Sequence, residues 1–338
     1  MKIILDAMGG DNAPAEIIKG AAAAVASFWP EVEIIAVGDA EKITACAKEN
    51  NLKLDHIEIV NTTEVIEMCD EPAKAVRTKK DSSMVVGLKL LAEGKGDAFV
   101  SAGSTGALHV ATSLIVRTVK GVKRPALATP MPGIQQHYLL LDCGANAECR
   151  ADMLNAFGTM GSVYAEKVMG RPNPSVALVN NGAEDHKGTP MYREAHQKLK
   201  ANPSIRFVGN IEPRYIPEGK VDVVVCDGFV GNVVLKLTEG VAISLLGMLK
   251  PIFLKNLFTK LAYLTIKDGL RGLKKMMDSE EVGGAPLLGA ARPVIKAHGS
   301  SKARGIKNAI RQAKTCVEND LCGTMEKALA ETMAAVQE

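Results

Sequence analysis

Short apolar runs alternate along this chain with longer segments of helical periodicity. The clearest run is VDVVVC at residues 221–226, which is almost continuously apolar and so indicates a strand buried on both faces. Strands that alternate with helices indicate a mostly parallel sheet covered by helices on both sides. We therefore expect a three-layer α/β/α sandwich. The 338 residues suffice for a single domain over 1–338, with a helical insertion at about 245–280.

The element boundaries follow from the same pattern. The predicted strands cover residues 2–5, 33–37, 57–60, 98–101, 138–141, 176–179, 205–208 and 221–226. The predicted helices cover residues 15–27, 82–93, 106–117, 151–167 and 190–200.

Composition excludes several classes of function. The 41 basic and 38 acidic residues give a net charge of +3, and aromatic residues make up only 4%, so we expect no nucleic-acid partner. The seven cysteines are odd in number and form no C-x-x-C pair, which argues against a disulfide framework or a zinc site. Free thiols fit a reducing cytoplasm. The N-terminal apolar run is too short for a signal peptide, and no run of about 18 apolar residues predicts a membrane span.

Five loops that mix glycine with polar residues follow predicted strands. In open α/β sheets the reactive groups lie beyond the carboxyl ends of the strands, so we expect these loops to share one edge and one active site. Glycine permits close backbone approach, and the N–H groups of such loops can bind an anion. The loops are 6–14, 101–107, 142–149, 180–189 and 227–232.

Several familiar motifs are missing from the sequence. It contains no G-x-G-x-x-G after a strand, no P-loop and no G-x-S-x-G elbow, which disfavours a typical dinucleotide enzyme, a P-loop kinase and an α/β-hydrolase. No H-E-x-x-H motif and no Cys/His cluster suggests a metal site.

Residues 250–277 depart from the strand–helix alternation. Apolar residues recur there at helical spacing between lysines and arginines, which predicts a protruding basic amphipathic helix or helix pair. Such a surface fits a second subunit, an anionic membrane or an acidic carrier protein, and the sequence does not choose among them. The predicted surface comprises Leu254, Lys255, Leu257, Phe258, Lys260, Leu261, Leu264, Lys267, Arg271, Lys274 and Lys275.

A set of motifs in order along nearly the whole chain closely resembles the phosphate acyltransferase (PlsX) family. The matching motifs are DAMGGDNAP (6–14), EPAKAVRTKKDSSM (71–84), EGKGDAFVSAGSTGAL (93–108), LLDCGAN (140–146), DHKGT (185–189), CDGFVGNVVLK (226–236), GGAPLLG (283–289) and KAHGSS (296–301).

The resemblance implies transfer of a long-chain acyl group from acyl carrier protein to inorganic phosphate. The acyl phosphate would then serve phospholipid synthesis through an acyl-phosphate-using glycerol-3-phosphate acyltransferase. It also implies a fold related to the phosphotransacetylases and the isocitrate and isopropylmalate dehydrogenases, with no metal and no organic cofactor. A homodimer in the cytoplasm, peripherally associated with the membrane, is expected.

Two residues resemble the family's catalytic pair. Lys187 lies in EDHKGT, where it would hold phosphate and the developing charge, although a solvated loop lysine is the plainer interpretation. Asn232 closes DGFVGN, where its amide would donate to the oxyanion, although asparagine at that place commonly caps a helix. The expected phosphate- or substrate-binding residues are Gly9, Gly10, Asp11, Asn12, Ser101, Gly103, Ser104, Thr105, Asn146, His298 and Ser300.

Three alternatives remain open at this point. A phosphotransacetylase acting on short acyl-CoA would share both the reaction type and the fold. A dehydrogenase on the related fold binds its nucleotide without the usual fingerprint. A membrane scaffold without catalytic activity is the third alternative.

Overall fold

A computed structural model describes residues 1–276 and 278–335 of the chain. Its centre is an eleven-stranded mixed sheet in the order β3-β2-β1-β4-β11-β10-β5-β6-β9-β7-β8. The strands are β1 (Lys2–Asp6), β2 (Glu33–Gly38), β3 (Ile57–Asn61), β4 (Ala98–Ser101), β5 (Ala126–Met131), β6 (Tyr138–Leu141), β7 (Ser175–Val179), β8 (Arg206–Ile211), β9 (Val223–Val225), β10 (Gly284–Leu288) and β11 (Val294–Ala297).

Helices cover both faces of this sheet. They are α1 (Ala15–Phe28), α2 (Ala40–Glu49), α3 (Pro72–Thr78), α4 (Ser83–Ala92), α5 (Thr105–Ala111), α6 (Ala151–Lys167), α7 (Pro190–Lys200), α8 (Gly228–Leu254), α9 (Leu257–Met276), α10 (Ser279–Val282), α11 (Ala303–Glu318) and α12 (Leu321–Ala335). A π-helical turn, Thr112–Val116, extends α5, and a 3₁₀ turn covers Pro213–Glu218.

Two hydrophobic clusters, one on each face of the sheet, make up the core. On one face the cluster includes Ile17 of α1, Leu154 of α6 and Ile306 of α11. On the other face it includes Leu88 of α4 and Leu108 of α5. The predicted α/β/α sandwich is therefore confirmed.

The sheet consists of two parallel halves that run in opposite directions. Strands β3, β2, β1, β4 and β11 are parallel, and so are β6, β9, β7 and β8. Between the halves lie three antiparallel pairings, β11 with β10, β10 with β5 and β5 with β6. Three reversals leave the two halves antiparallel, so their carboxyl ends point to opposite edges of the sheet.

Each predicted strand and helix has a counterpart in the structure, within a few residues at its ends. The helices predicted at 151–167 and 190–200 match α6 and α7 at both ends. Strands β5, β10 and β11 were not predicted. Pro130 in β5 and Pro286 in β10 argue against strands in a sequence, because proline lacks the N–H that a sheet ladder requires.

Helices α8 and α9 form a hairpin whose apolar side chains are largely exposed. Phe229, Leu237 and Met248 of α8 are more than 60% exposed. Helix α8 has 27 residues and is long and apolar enough, by length and composition alone, to cross a membrane. A cavity of about 750 Å³ lies between α8 and α9 and is lined mostly by their apolar side chains. The sequence did not predict this length, because Lys236 and Glu239 interrupt the apolar run.

Candidate active site

The glycine loops are defined here as residues 6–14, 101–105 and 298–301, which follow the neighbouring parallel strands β1, β4 and β11. They pack too closely for larger residues. A Cβ atom on Gly9 would lie 2.8 Å from the backbone N of Gly103, and one on Gly10 would lie 3.0 Å from the carbonyl oxygen of Gly299. Gly10 also has a φ of 105°, which side chains rarely allow. Glycine at both positions therefore lets the three loops meet.

A buried carboxylate organises the glycine loops from below. Asp6 is 1% exposed, and its Oδ2 accepts a hydrogen bond from Oγ of Ser101 at 2.7 Å. The same Oγ accepts the N–H of Gly103 at 3.0 Å. Burial raises the pKa of Asp6, while hydrogen bonds from serine hydroxyls and the backbone oppose that rise. Ser101 and Gly103 thus lie beneath the loop surface and hold its shape.

The first and third glycine loops are joined directly. The N–H of Asp11 donates to the carbonyl of Gly299 at 2.9 Å, and Nδ2 of Asn12 donates to the carbonyl of Ser300 at 3.0 Å. Nδ1 of His298 lies 2.8 Å from Oγ of Ser300. The structure therefore brings these predicted residues together.

The second glycine loop leads into α5. Oγ of Ser104 accepts the N–H of Ala107 at 3.5 Å and caps the helix, while Thr105 is its first residue. Ser104 is buried and Thr105 is half-buried. Their place beside Gly103 agrees with the predicted cluster, but the Ser104 hydroxyl is already used by the helix.

The lysine loops are defined here as residues 142–150, 180–189 and 226–232, which follow the parallel strands β6, β7 and β9. Lys187 is half-buried, and its Nζ has no ion-pair partner within the described part of the chain. A Cβ on Gly182 would lie 2.9 Å from Cγ of Lys187, so glycine leaves room for the lysine stem. Nδ2 of Asn180 donates to the carbonyl of Lys187 at 3.2 Å and fixes the backbone there.

Asn232 is exposed and lies in the second turn of α8. It does not cap this helix, since Asp227 is the N-cap and its carboxylate accepts the N–H of Val230 at 2.8 Å. The Asn232 amide is thus left free of a capping role. A Cβ on Gly144 would lie 3.5 Å from Oδ1 of Asn232, so the first lysine loop lies directly beside this amide.

A hydrogen bond ties the loop of Lys187 to the helix of Asn232. The hydroxyl of Tyr192, in α7, donates to Oδ2 of Asp227 at 2.7 Å. Because β7 and β9 are also neighbours, Lys187 and Asn232 lie on adjacent loops of the same edge.

Asn146 supports its loop from inside. It is 1% exposed, and its Nδ2 donates to Asp142 and to the carbonyl of Pro125, each at 2.8 Å. Both amide hydrogens are therefore used, and none is left for a bound phosphate. Asp142 accepts backbone N–H groups from Gly144 and Ala145 as well, which fixes this loop.

The prediction that all the polar loops share one edge is wrong. The glycine loops and the lysine loops follow the two antiparallel halves of the sheet and so lie at opposite edges. The cause is the reversal of direction at β5 and β10, which the sequence did not reveal.

Helix α8 connects the two loop groups. Lys236 lies one turn beyond Asn232, and its positive charge helps to lower the pKa of both Lys296 and His298. Lys236 must therefore lie near the glycine loops, while Asn232 faces Gly144 of the lysine loops.

The predicted basic surface lies on the α8–α9 hairpin. Leu254, Leu257, Phe258, Leu261 and Leu264 are 55–82% exposed. Lys255, Lys260 and Arg271 are exposed and Lys267 is half-buried. The side chains of Lys274 and Lys275 lie outside the described part of the structure.

Two features of the site were missed in the sequence. Lys296 of β11 is buried beneath the glycine loops, and the Tyr192–Asp227 contact joins the lysine loops. The signals for Lys296 were its place at the start of the motif KAHGSS and the apolar residues that precede it in VIKA. Over residues 1–276 and 278–335, no group of three His, Cys, Asp or Glu side chains could hold a metal ion.

The chain matches known proteins over almost its whole length. The family model described as fatty acid synthesis protein matches residues 1–324. The phosphate acyltransferase of Alkaliphilus oremlandii is 49% identical over 319 residues, 94% of each chain. That of Clostridioides difficile is 45% identical over 313 residues, 92% of this chain and 91% of the relative.

Solved structures share the fold at much lower identity. A phosphotransacetylase from Streptococcus pyogenes gives a TM-score of 0.64 at 18% identity over 94% of both chains. A 4-hydroxythreonine-4-phosphate dehydrogenase from Burkholderia phymatum gives 0.51 at 14% identity, over 93% of this chain and 97% of that one. The predicted relation to phosphotransacetylases and dehydrogenases is confirmed as a likeness of fold. The matched family model and the close relatives show that the chain belongs to the phosphate acyltransferase family of fatty acid synthesis proteins and is an acyltransferase.

Proposed function

We propose that this enzyme transfers a long-chain fatty acyl group from acyl carrier protein to inorganic phosphate. The acyl phosphate then enters phosphatidic acid synthesis through a glycerol-3-phosphate acyltransferase that consumes it. The observation that carries the proposal is the placement of Lys187 and Asn232 on adjacent loops of one edge, in a chain of this family.

The reaction requires no covalent enzyme intermediate. An oxygen of hydrogen phosphate attacks the thioester carbonyl carbon, and a C–O bond forms while the carbonyl oxygen becomes an oxyanion. Collapse of this intermediate breaks the C–S bond, and the proton of the phosphate passes to the departing thiolate. Aligning the two reactants and stabilising the oxyanion are the main tasks of the protein.

Lys187 and Asn232 suit those two tasks. The ammonium of Lys187, which has no ion-pair partner among the described residues, can hold a phosphate oxygen and offset the developing negative charge. The Asn232 amide, which has no capping role, can donate to the oxyanion without changing the charge of the site. The Tyr192–Asp227 hydrogen bond fixes the position of the Lys187 loop relative to the helix that carries Asn232.

The α8–α9 hairpin supports a peripheral role at the membrane. Contiguous exposed apolar side chains on a folded chain mark interaction surfaces. In the hairpin, Phe258 is 82% exposed and lies in sequence between the exposed cations Lys255 and Lys260. Anionic lipid fits both the apolar and the basic side chains. We include in the proposal a homodimer in the cytoplasm, peripherally associated with the membrane.

The test is detection of acyl phosphate by mass spectrometry when purified enzyme is given palmitoyl carrier protein and labelled phosphate. Lys187→Ala and Asn232→Ala should each lower kcat by about 10²–10³-fold, the usual effect of losing one oxyanion or phosphate contact. Lys307→Ala, a change in α11 far along the chain from both loops, is the matched control and should retain activity. Faster turnover of acetyl-CoA than of palmitoyl carrier protein would overturn the substrate assignment, and full activity of both alanine variants would overturn the residue assignment.

A further inference from the structure

Lys296 is a lysine in the interior of the fold. It lies in β11, is 7% exposed and has buried neighbours on both sides along the strand. Its Nζ donates to the carbonyl of Ala102 at 3.3 Å and to that of Ala297. These carbonyls belong to the ends of β4 and β11, so the ammonium group lies directly beneath the second and third glycine loops.

Among the described residues, the positive charge of Lys296 has no ion-pair partner. Within the described part of the chain, no carboxylate oxygen lies within 4.0 Å of its Nζ. A buried ammonium without a counter-ion costs free energy, and two neutral carbonyls satisfy only two of its three N–H donors. A methionine of similar length would avoid this cost, so packing alone does not account for a lysine here.

The charged groups that act on Lys296 come from three elements. Asp6 of β1 and Asp11 of the first glycine loop favour its charged form, whereas Lys236 of α8 disfavours it. His298 lies two residues beyond Lys296, in the third glycine loop. Burial, and then the charges of Lys236 and Lys296, lower its pKa. Burial dominates at Lys296 and lowers the pKa of its ammonium to about 8.

We propose that Lys296 is a positioning residue whose missing counter-ion is the substrate phosphate, held above it by the backbone of the glycine loops. The inference rests on the proposed function, because phosphate is a substrate of that reaction. The glycine loops lie at the edge of the sheet opposite Lys187, so this is a phosphate site in addition to the contact proposed for Lys187. An anion in the glycine loops neutralises the ammonium, and the ammonium in turn holds the three loops closed around the anion. Gly9 and Gly10 keep the loop backbone near enough to the strand ends for this to work.

The test measures binding of inorganic phosphate alone, by calorimetry, to the full chain without an acyl donor. Lys296→Met should weaken phosphate binding by roughly tenfold or more, as is usual when one partner of a charge pair is removed. It should leave the thermal stability of the phosphate-free protein unchanged or higher, because an unpaired buried charge is lost. Lys302→Met removes an exposed charge next to the same loop and should change neither quantity.

A second measurement on the unmodified enzyme does not depend on the variant folding. Phosphate next to Lys296 stabilises its protonated form, so binding near pH 8 should take up protons, seen as a dependence of the binding enthalpy on the buffer. Equal phosphate affinity in Lys296→Met and the unmodified enzyme, or binding without proton uptake beyond that of phosphate itself, would overturn the proposal. If phosphate binds as expected while no acyl phosphate is formed, the proposed function fails and the phosphate site stands.

Discussion

The contact between Tyr192 and Asp227 gives a prediction whose size follows from the structure. Asp227→Ala removes the N-cap of α8, worth about 1 kcal/mol, and a hydrogen bond from a buried hydroxyl to a carboxylate, worth about 2 kcal/mol. The free energy of unfolding should therefore fall by about 3 kcal/mol. For 338 residues the entropy of unfolding is about 0.7 kcal/mol per kelvin, so the Tm should fall by about 4 °C.

The activity of this variant should fall more than its stability suggests. Asp227 fixes the start of the helix that carries Asn232, and misplacing a reacting group by about 1 Å can cost about 10²-fold in rate. We expect kcat for acyl phosphate formation to fall at least tenfold at a temperature where the variant is folded. Asp227→Asn is the matched control, because asparagine caps helices equally well and can still accept the Tyr192 hydroxyl.

A double-mutant cycle with Tyr192→Phe isolates the contact itself. The two changes should be coupled by about 1–2 kcal/mol in thermal or denaturant unfolding. Additive losses of stability, or a fully active Asp227→Ala variant, would show that this contact does not join the lysine loops in solution.

Two further predictions concern stability against pH and the exposed hairpin. The pKa of Glu16 is lowered first by the N–H of Ala303 and then by Lys19, so its charged form stabilises the fold above about pH 4.5 and this contribution disappears as the pH falls through the lowered pKa. Glu16→Gln should cost about 1 kcal/mol at pH 7 in urea unfolding, and the cost should shrink as the pH is lowered below about 4.5. A cost that does not change with pH would contradict this assignment. Phe258→Glu should weaken binding to anionic vesicles about tenfold with little change in Tm. Ile134→Glu is the control, because Ile134 has the same 82% exposure but lies outside the hairpin, and it should leave vesicle binding unchanged. Equal vesicle binding by the two variants would show that the hairpin does not contact the membrane.

The layers of the fold could be predicted from the sequence because buried parallel strands and amphipathic helices leave strong local patterns. Strands β6 and β9 are continuous apolar runs, and α6 and α7 end at recognisable boundaries. Strands β5 and β10 leave no such pattern, since each contains a proline. These two strands set the relative direction of the two halves of the sheet. Because they could not be predicted from the sequence, the topology of the sheet could not be predicted either.

The candidate site was predictable to the same extent. Each of the five predicted loops could be placed at the end of a strand. The closeness of His298 and Ser300 to Asp11 and Asn12 could not, because β11, the strand that carries them, was not predicted. Which loops face each other could not be predicted, because that depends on β5 and β10.

Lys296 shows the limit of a local pattern most clearly. In the sequence it interrupts an apolar strand, as an exposed lysine on an edge strand also would. Only the order of the sheet places β11 between β4 and β10, and only that central position buries the ammonium beneath two glycine loops. The same lysine on an edge strand would be solvated and would contribute little to anion binding. The central position of β11 is therefore what buries the ammonium of Lys296. Phosphate affinity should depend on that position as much as on the loops that contact the anion.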